Sequence, residues 1–159
     1  MKKDDRPTFY LDNDLTKPVR AGGVLFYRHD VITNTYNLLM IYSRNSYEDF
    51  GGCSDSTDQS LEQMICREVE EESNGIFGKK YVSDCIKGLN PIYIKYCKYV
   101  LYFVKIEEKY DPTIFGDVEI CDNISRNVEW INYSDINQIK LNFRLTMTQV
   151  TNHMENLFI

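Results

Sequence analysis

One helix that changes character halfway along constrains this chain most. Gly51 to Gly75 reads G-G-C-S-D-S-T-D-Q-S-L-E-Q-M-I-C-R-E-V-E-E-E-S-N-G. Leu61, Met64, Ile65 and Val69 recur at helical spacing and form an apolar stripe. Glu68 falls in line with Leu61, and Glu72 with Ile65, so the stripe that faces the core turns acidic in its second half. Glu68, Glu71 and Glu72 share that face, where like charges repel. Glu62 and Glu70 fit a solvated role. Taken alone, R-E-V-E-E-E also suits an exposed helix with Arg67 paired to Glu71. The acidic continuation of a buried stripe points instead to carboxylates aimed at a cleft. A hard divalent cation such as Mg²⁺ is the natural partner for them.

With 159 residues, 43% hydrophobic and 26% charged, the chain reads as one domain spanning 1–159 with a real core. Its formal charge of -6 argues against a broad basic face for nucleic-acid backbones or anionic membranes. The five cysteines include no C-x-x-C pair, and there are only two histidines, so a structural zinc site is not expected. Free thiols suggest a reducing, cytoplasmic setting. The start, M-K-K-D-D-R-P, lacks the apolar run of a secretory signal, and no stretch is apolar enough for a membrane span.

Residues 1–17 read as an N-terminal segment that either frays or covers a site, with Phe9 and Tyr10 able to pack. Val19 to Tyr27 and Tyr36 to Tyr42 read as antiparallel strands around a turn at Arg28 to Asn34. Gly22 and Gly23 suggest a bulge or a close backbone approach. Asn74-Gly75 is a helix stop in left-handed geometry. Pro91 to Tyr96 and Lys98 to Ile106 read as strands, the second central because both its faces are apolar. Glu107 to Asn127 reads as loop, Asn127 to Ile131 as a strand, Ser134 as a helix cap and Leu145 to Leu157 as a C-terminal helix. The order implies an α+β fold, an α/β/α sandwich on a mixed sheet.

These residues resemble the Nudix hydrolase signature, G-x5-E-x7-R-E-U-x-E-E-x-G-U with U a bulky apolar residue. Gly51-Gly52 and Arg67-Glu68-Val69-Glu70-Glu71-Glu72-Ser73 carry the match. R-A-G-G-V-L-F at Arg20 to Phe26 and V-E-W-I at Val128 to Ile131 resemble strands of that family. There are three departures. The loop before Arg67 is one residue longer, which puts Asp58 or Gln59 at the early acidic position, Asp58 being preferred. Cys53 stands where a lysine is frequent. Asn74 replaces the usual glycine, and Gly75 follows one place late.

The resemblance implies a Nudix-like sandwich and Mg²⁺-dependent hydrolysis of a nucleoside diphosphate linked to another group, with Mn²⁺ as a substitute. It implies Glu68, Glu71 and Glu72 as metal ligands, with the Gly51 carbonyl added. Glu68 or a loop glutamate acts as general base, and Arg67 orients a catalytic glutamate. Glu119 is the first candidate for a further acid, with Asp117 and Asp122 as rivals. Arg20, Arg44 and Arg126 are candidates for gripping phosphates, and Arg144 equally for pairing with a local carboxylate. Tyr10 is among the aromatics placed to stack on a base, and Asp58 is placed at the substrate loop. Nucleoside triphosphates, nucleotide sugars or ADP-ribose, dinucleoside polyphosphates and capped RNA stay open as substrates. The acidic charge disfavours long RNA. The family leaves a homodimer open. The alternative is a Nudix-fold module that binds or senses a nucleotide with weak or absent catalysis.

Overall fold

Alternating apolar side chains on the long strands put a core on each face of one sheet. The computed structural model describes residues 5–159. A short antiparallel ribbon comes first, β1 (Phe9–Tyr10) with β2 (Pro18–Val19). Fraying expected at Met1 to Asp4 lies outside the described residues. From Pro7 the segment is tied down: Ser54 Oγ donates to the Pro7 carbonyl at 2.8 Å, and Leu11 is buried. Next come β3 (Ala21–Asp30), β4 (Thr35–Ser43), β5 (Ser46–Glu48) and β6 (Phe50–Cys53). Helices α1 (Leu61–Glu72) and α2 (Lys79–Ile86) follow, then β7 (Ile92–Ile94) and β8 (Tyr99–Lys105). A ribbon of β9 (Val118–Glu119) and β10 (Ile124–Ser125) precedes β11 (Asn127–Asn132) and helix α3 (Thr148–Phe158).

The main sheet runs β11-β4-β3-β8-β7, with β5 paired to β4 and β6 to β3. The β3–β8 pair is parallel and the others are antiparallel, so the sheet is mixed. Val24, Phe26, Leu39 and Ile41 join Met64, Ile65 and Val69 of α1 and Val82 of α2 in one buried cluster. Leu25, Leu38, Met40 and Leu101 join Val150, Met154 and Phe158 of α3 in the other. The period of two along each strand thus feeds two helical layers, an α/β/α sandwich.

Helix α1 starts where its sequence directs. Ser60 caps it, accepting the Gln63 amide at 3.1 Å, while Gln63 Oε1 reaches back to the Gln59 amide at 2.9 Å. Its exit is left-handed at Asn74 (φ 52°) and Gly75 (φ 80°), as the stop signal predicts. Three local expectations change. Helix α2 has no counterpart in the sequence reading: it lacks a side-chain cap and buries only Val82 and Ile86, so it depends on packing beside α1. The C-terminal helix begins at Thr148, because Met147 is extended and Phe143–Thr146 form a 3-10 turn. Asn132 rather than Ser134 caps the turn at Tyr133–Gln138, its Oδ1 accepting the Ser134 amide at 3.0 Å.

Close backbone approach accounts for the glycines. Gly23 of β3 sits opposite Gly51 of β6. With no Cβ on either, the Tyr99 hydroxyl and the Asp49 carboxylate fill the gap. A Cβ at Gly23 would collide with the Phe50 carbonyl, Asp49 Oδ2 and the Tyr99 hydroxyl. Backbone cannot yield as a side chain can, so Gly23→Ala is expected to lower stability by about 3 kcal/mol in a denaturant titration.

Candidate functional site

The acidic end of α1 is organised around one guanidinium. Arg67 Nε and Nη2 donate to the two oxygens of Asp58, each at 2.9 Å. Nη2 also donates to the Cys53 carbonyl at 2.8 Å. Nη1 donates to Glu68 at 3.0 Å and to Glu71 at 3.2 Å. Burial works against the charge on Arg67, but bonds to Asp58 and the charges of Glu68, Asp58 and Glu71 outweigh it and hold the group ionised. Asp58, expected at the substrate, is instead committed to Arg67, with its side chain only 2% exposed. The long loop closes on the helix through that bidentate pair. Lying one turn apart, Glu68 and Glu71 share the remaining arm.

Glu68 lies directly over Gly52, where any Cβ would strike its carboxyl group. Burial pushes Glu68 up to about 7, with Glu71 and Asp122 adding and Arg67 opposing. Burial also pushes Glu72 up to about 10, reinforced by Glu48, Glu68, Asp49 and Glu119. Glu72, Glu48, Glu119, Arg44 and Arg126 line a cleft of about 90 Å³. Glu119 is buried, and burial followed by Asp122 and Glu71 raises it. Carboxylate oxygens of Glu71 and Glu119 and the Cys121 sulfur lie within 4.8 Å of one another. Carboxylates from β5, α1 and β9 therefore converge at one end of the sheet.

Such a cluster of hard oxygen donors fits Mg²⁺ or Mn²⁺. Burial first, and neighbouring carboxylates after it, disfavour the charged forms of Glu68 and Glu72, a cost that a bound cation would relieve.

Other residues singled out by sequence fall in varied places. Arg44 reaches the cleft from the β4–β5 turn, where its φ is 53°. Neither Arg20 nor Tyr10 lines the cleft. Arg20 donates from Nη2 to the Arg6 carbonyl at 3.2 Å, and Tyr10 is 42% exposed on β1. Asp117 faces a neighbouring open groove with Glu129. Arg126 is buried, and it grips backbone rather than standing free for phosphates: it donates to the carbonyls of Gly116, Phe115 and Glu72. Arg144 pairs with a carboxylate remote in sequence. Its Nε and Nη2 approach Asp49 Oδ1 at 2.8 and 2.7 Å, and its guanidinium lies 4.7 Å from the Tyr99 ring centre. Tyr99 donates its hydroxyl to the other Asp49 oxygen. Asp49 is thus a fully buried, fully paired carboxylate beneath the cleft.

Sequence reasoning missed several groups. Glu48 and Asp49 directly precede Phe50-Gly51-Gly52, and that adjacency was their one signal. Cys121 had none. Tyr96 and Phe143 are 77% and 62% exposed, and their rings touch at 5.5 Å between centres. Phe143 lies between Asn142 and Arg144, whose side chains reach Glu48 of the cleft at 3.3 and 3.7 Å. Two exposed rings in contact offer a stacking platform.

Among the solved structures that this chain is similar to, two illustrate the likeness across most of its length. One is an Ap4A hydrolase of C. elegans in a binary complex, at 16% identity and TM-score 0.52, covering 87% of this chain and 98% of that one. The other is the NUDIX domain of NrtR from Shewanella oneidensis complexed with ADP ribose, at 16% identity and TM-score 0.56, covering 99% of each. The chain has a Nudix fold. No family model and no curated protein matches the sequence. Within this fold, the acidic end of α1 and the cleft beside it bring Glu71, Glu72, Glu48 and Glu119 together. No helix among the described residues is long and apolar enough to cross a membrane.

Raised carboxylates tie stability to pH with a definite sign. Glu68 and Glu72 hold protons more tightly when folded than at their ordinary value of 4.5. The folded state therefore binds the extra protons, and stability falls as pH rises from that value through about 7 for Glu68 and about 10 for Glu72. In EDTA the melting temperature is expected to drop between about pH 6 and about pH 9. Mg²⁺ or Mn²⁺ should restore it, and restore more at the higher pH. A melting temperature independent of pH and metal would contradict this electrostatic picture.

Proposed function

We propose that the protein is a divalent-cation-dependent hydrolase that cleaves a pyrophosphate bond in a nucleotide-type substrate. The observation that carries this reading is the meeting of Glu48, Glu72 and Glu119 in one cleft, with Glu71 within 4.8 Å of Glu119 and Arg67 bonded to both Glu68 and Glu71. Support also comes from the solved likenesses, one an Ap4A hydrolase and the other a domain complexed with ADP ribose.

Glu68, Glu71, Glu72 and Glu119 would hold the cation, and the family resemblance adds the Gly51 carbonyl. A bound divalent cation supplies neutralisation of the charge that keeps an attacking water away from a pyrophosphate. Glu68 is the general base. Its carboxylate is held in place by Arg67 at 3.0 Å, as a positioned proton acceptor requires. Water forms the new O–P bond, its proton passes to Glu68, and the anhydride P–O bond breaks with its electrons leaving on the departing phosphate. Arg67 orients Glu68 and Glu71 without touching substrate. Arg44, at the cleft, pairs with a phosphate oxygen. Tyr96 and Phe143 stack on the base.

A panel of nucleoside triphosphates, ADP-ribose, nucleotide sugars, dinucleoside polyphosphates and a capped RNA, assayed with Mg²⁺, Mn²⁺ or EDTA, tests this. Metal-dependent release of a phosphate or nucleotide from one class is expected. Glu68→Gln, Glu71→Gln and Glu72→Gln should each lower kcat by about 100-fold or more. Phe143→Ala should raise KM about 10-fold through loss of one stacked ring while leaving kcat near its original value. A folded, metal-binding protein that cleaves nothing yet binds a nucleotide would favour a sensing module instead.

A further inference from the structure

The asparagine that replaces the signature glycine does more than end a helix. Asn74 sits at the exit of α1 with φ 52°, a conformation glycine supplies at least cost. Its side chain reaches across to the loop that carries Glu119. Nδ2 donates to the carbonyls of Phe115 and Val118, each at 2.8 Å. Oδ1 accepts the amide of Ile120 at 2.9 Å. These three bonds bracket Glu119 on both sides. The local strands cannot do this work, since β9 and β10 are two residues each. Arg126 reinforces the junction by joining the Gly116 and Phe115 carbonyls to that of Glu72. Across the same junction, Glu119 and Glu71 come within 4.8 Å.

We propose that Asn74 is a positioning residue whose amide clamps the Phe115–Ile120 loop to the exit of the acidic helix and so fixes Glu119 against Glu71 for cation binding. This rests on the reading that Glu71 and Glu119 hold the cation. A glycine at this position would satisfy the helix exit equally well but leave the loop unclamped. Restoring the signature residue should therefore weaken the site rather than improve it.

Asn74→Gly makes the test, because glycine accepts the left-handed backbone without strain and only the side-chain bonds are lost. The readouts are Mn²⁺ affinity by calorimetry, hydrogen exchange of residues 115–122, and kcat against Mg²⁺ concentration. The variant is expected to bind Mn²⁺ about 10-fold more weakly, a typical cost of losing a group that orients a ligand. Amides of the loop should exchange faster, and the Mg²⁺ needed for half-maximal rate should rise in parallel. Asn74→Asp, which keeps the acceptor for Ile120 but loses both donors, should shift the same readouts in the same direction. A pure capping role predicts unchanged metal affinity with equal or higher melting temperature, and that result would overturn the proposal. If the wild type hydrolyses a nucleotide while Asn74→Gly matches it in Mn²⁺ affinity, the clamp falls and the hydrolase reading stands. If both bind Mn²⁺ with the expected difference but neither cleaves any substrate, the clamp stands and the hydrolase reading falls.

Discussion

Arg67 is the interaction on which the acidic end of the molecule depends. Without it, Asp58, Glu68 and Glu71 would crowd their negative charge into a half-buried space with no internal counterion. Its three arms run to different parts of the chain: Asp58 in the loop, the Cys53 carbonyl at the end of β6, and two glutamates on its own helix. A planar guanidinium can do this because its donors point in fixed directions, whereas an ammonium would satisfy only one arm well. The longer loop is therefore accommodated, since its register is set by Asp58 and not by its length.

Compensation by Arg67 is deliberately incomplete in effect. Glu72 has no arginine donor to its carboxylate among the contacts described, and it shares its cleft with Glu48 and Glu119. Its strong upward shift shows how costly full ionisation is there. Beneath it, the facing glycines 23 and 51 open the sheet so that Asp49 can sit buried between Tyr99 and Arg144. That carboxylate is fully paired, and Glu48 in the cleft shares Arg144 at 3.7 Å, whereas Glu72 has no such donor among the described contacts.

How much could be read in advance varies with the range of the force involved. The helix with its acidic turn, the capping serine, the left-handed exit and the long strands follow from periodicity and local geometry, and they stand close to where the pattern puts them. Helix α2 escaped because eight mixed residues without a side-chain cap carry little local signal, and its helicity comes from packing. Ser134 lost the capping role to Asn132, two residues earlier, which is within the ordinary slippage of such boundaries. Arg126, one of three candidates for gripping phosphates, is drawn inward by backbone carbonyls that a sequence does not display.

The sequence by itself determined that three carboxylates share one helical face in line with a buried stripe, and that paired glycines and an asparagine exit frame that helix. Those features depend on contacts within a turn or two, where the 3.6-residue period decides neighbours. Tertiary structure alone decided which charges meet: Asp58 with Arg67, Asp49 with Arg144, Asn74 with the loop of Glu119, and Glu48 with Glu72. Coulombic attraction and hydrogen bonding act through space and leave no periodic trace along the chain. Only folding brings residues as distant as Asp49 and Arg144 within 3 Å, so only the folded chain shows which carboxylates are already neutralised and which are left for a cation.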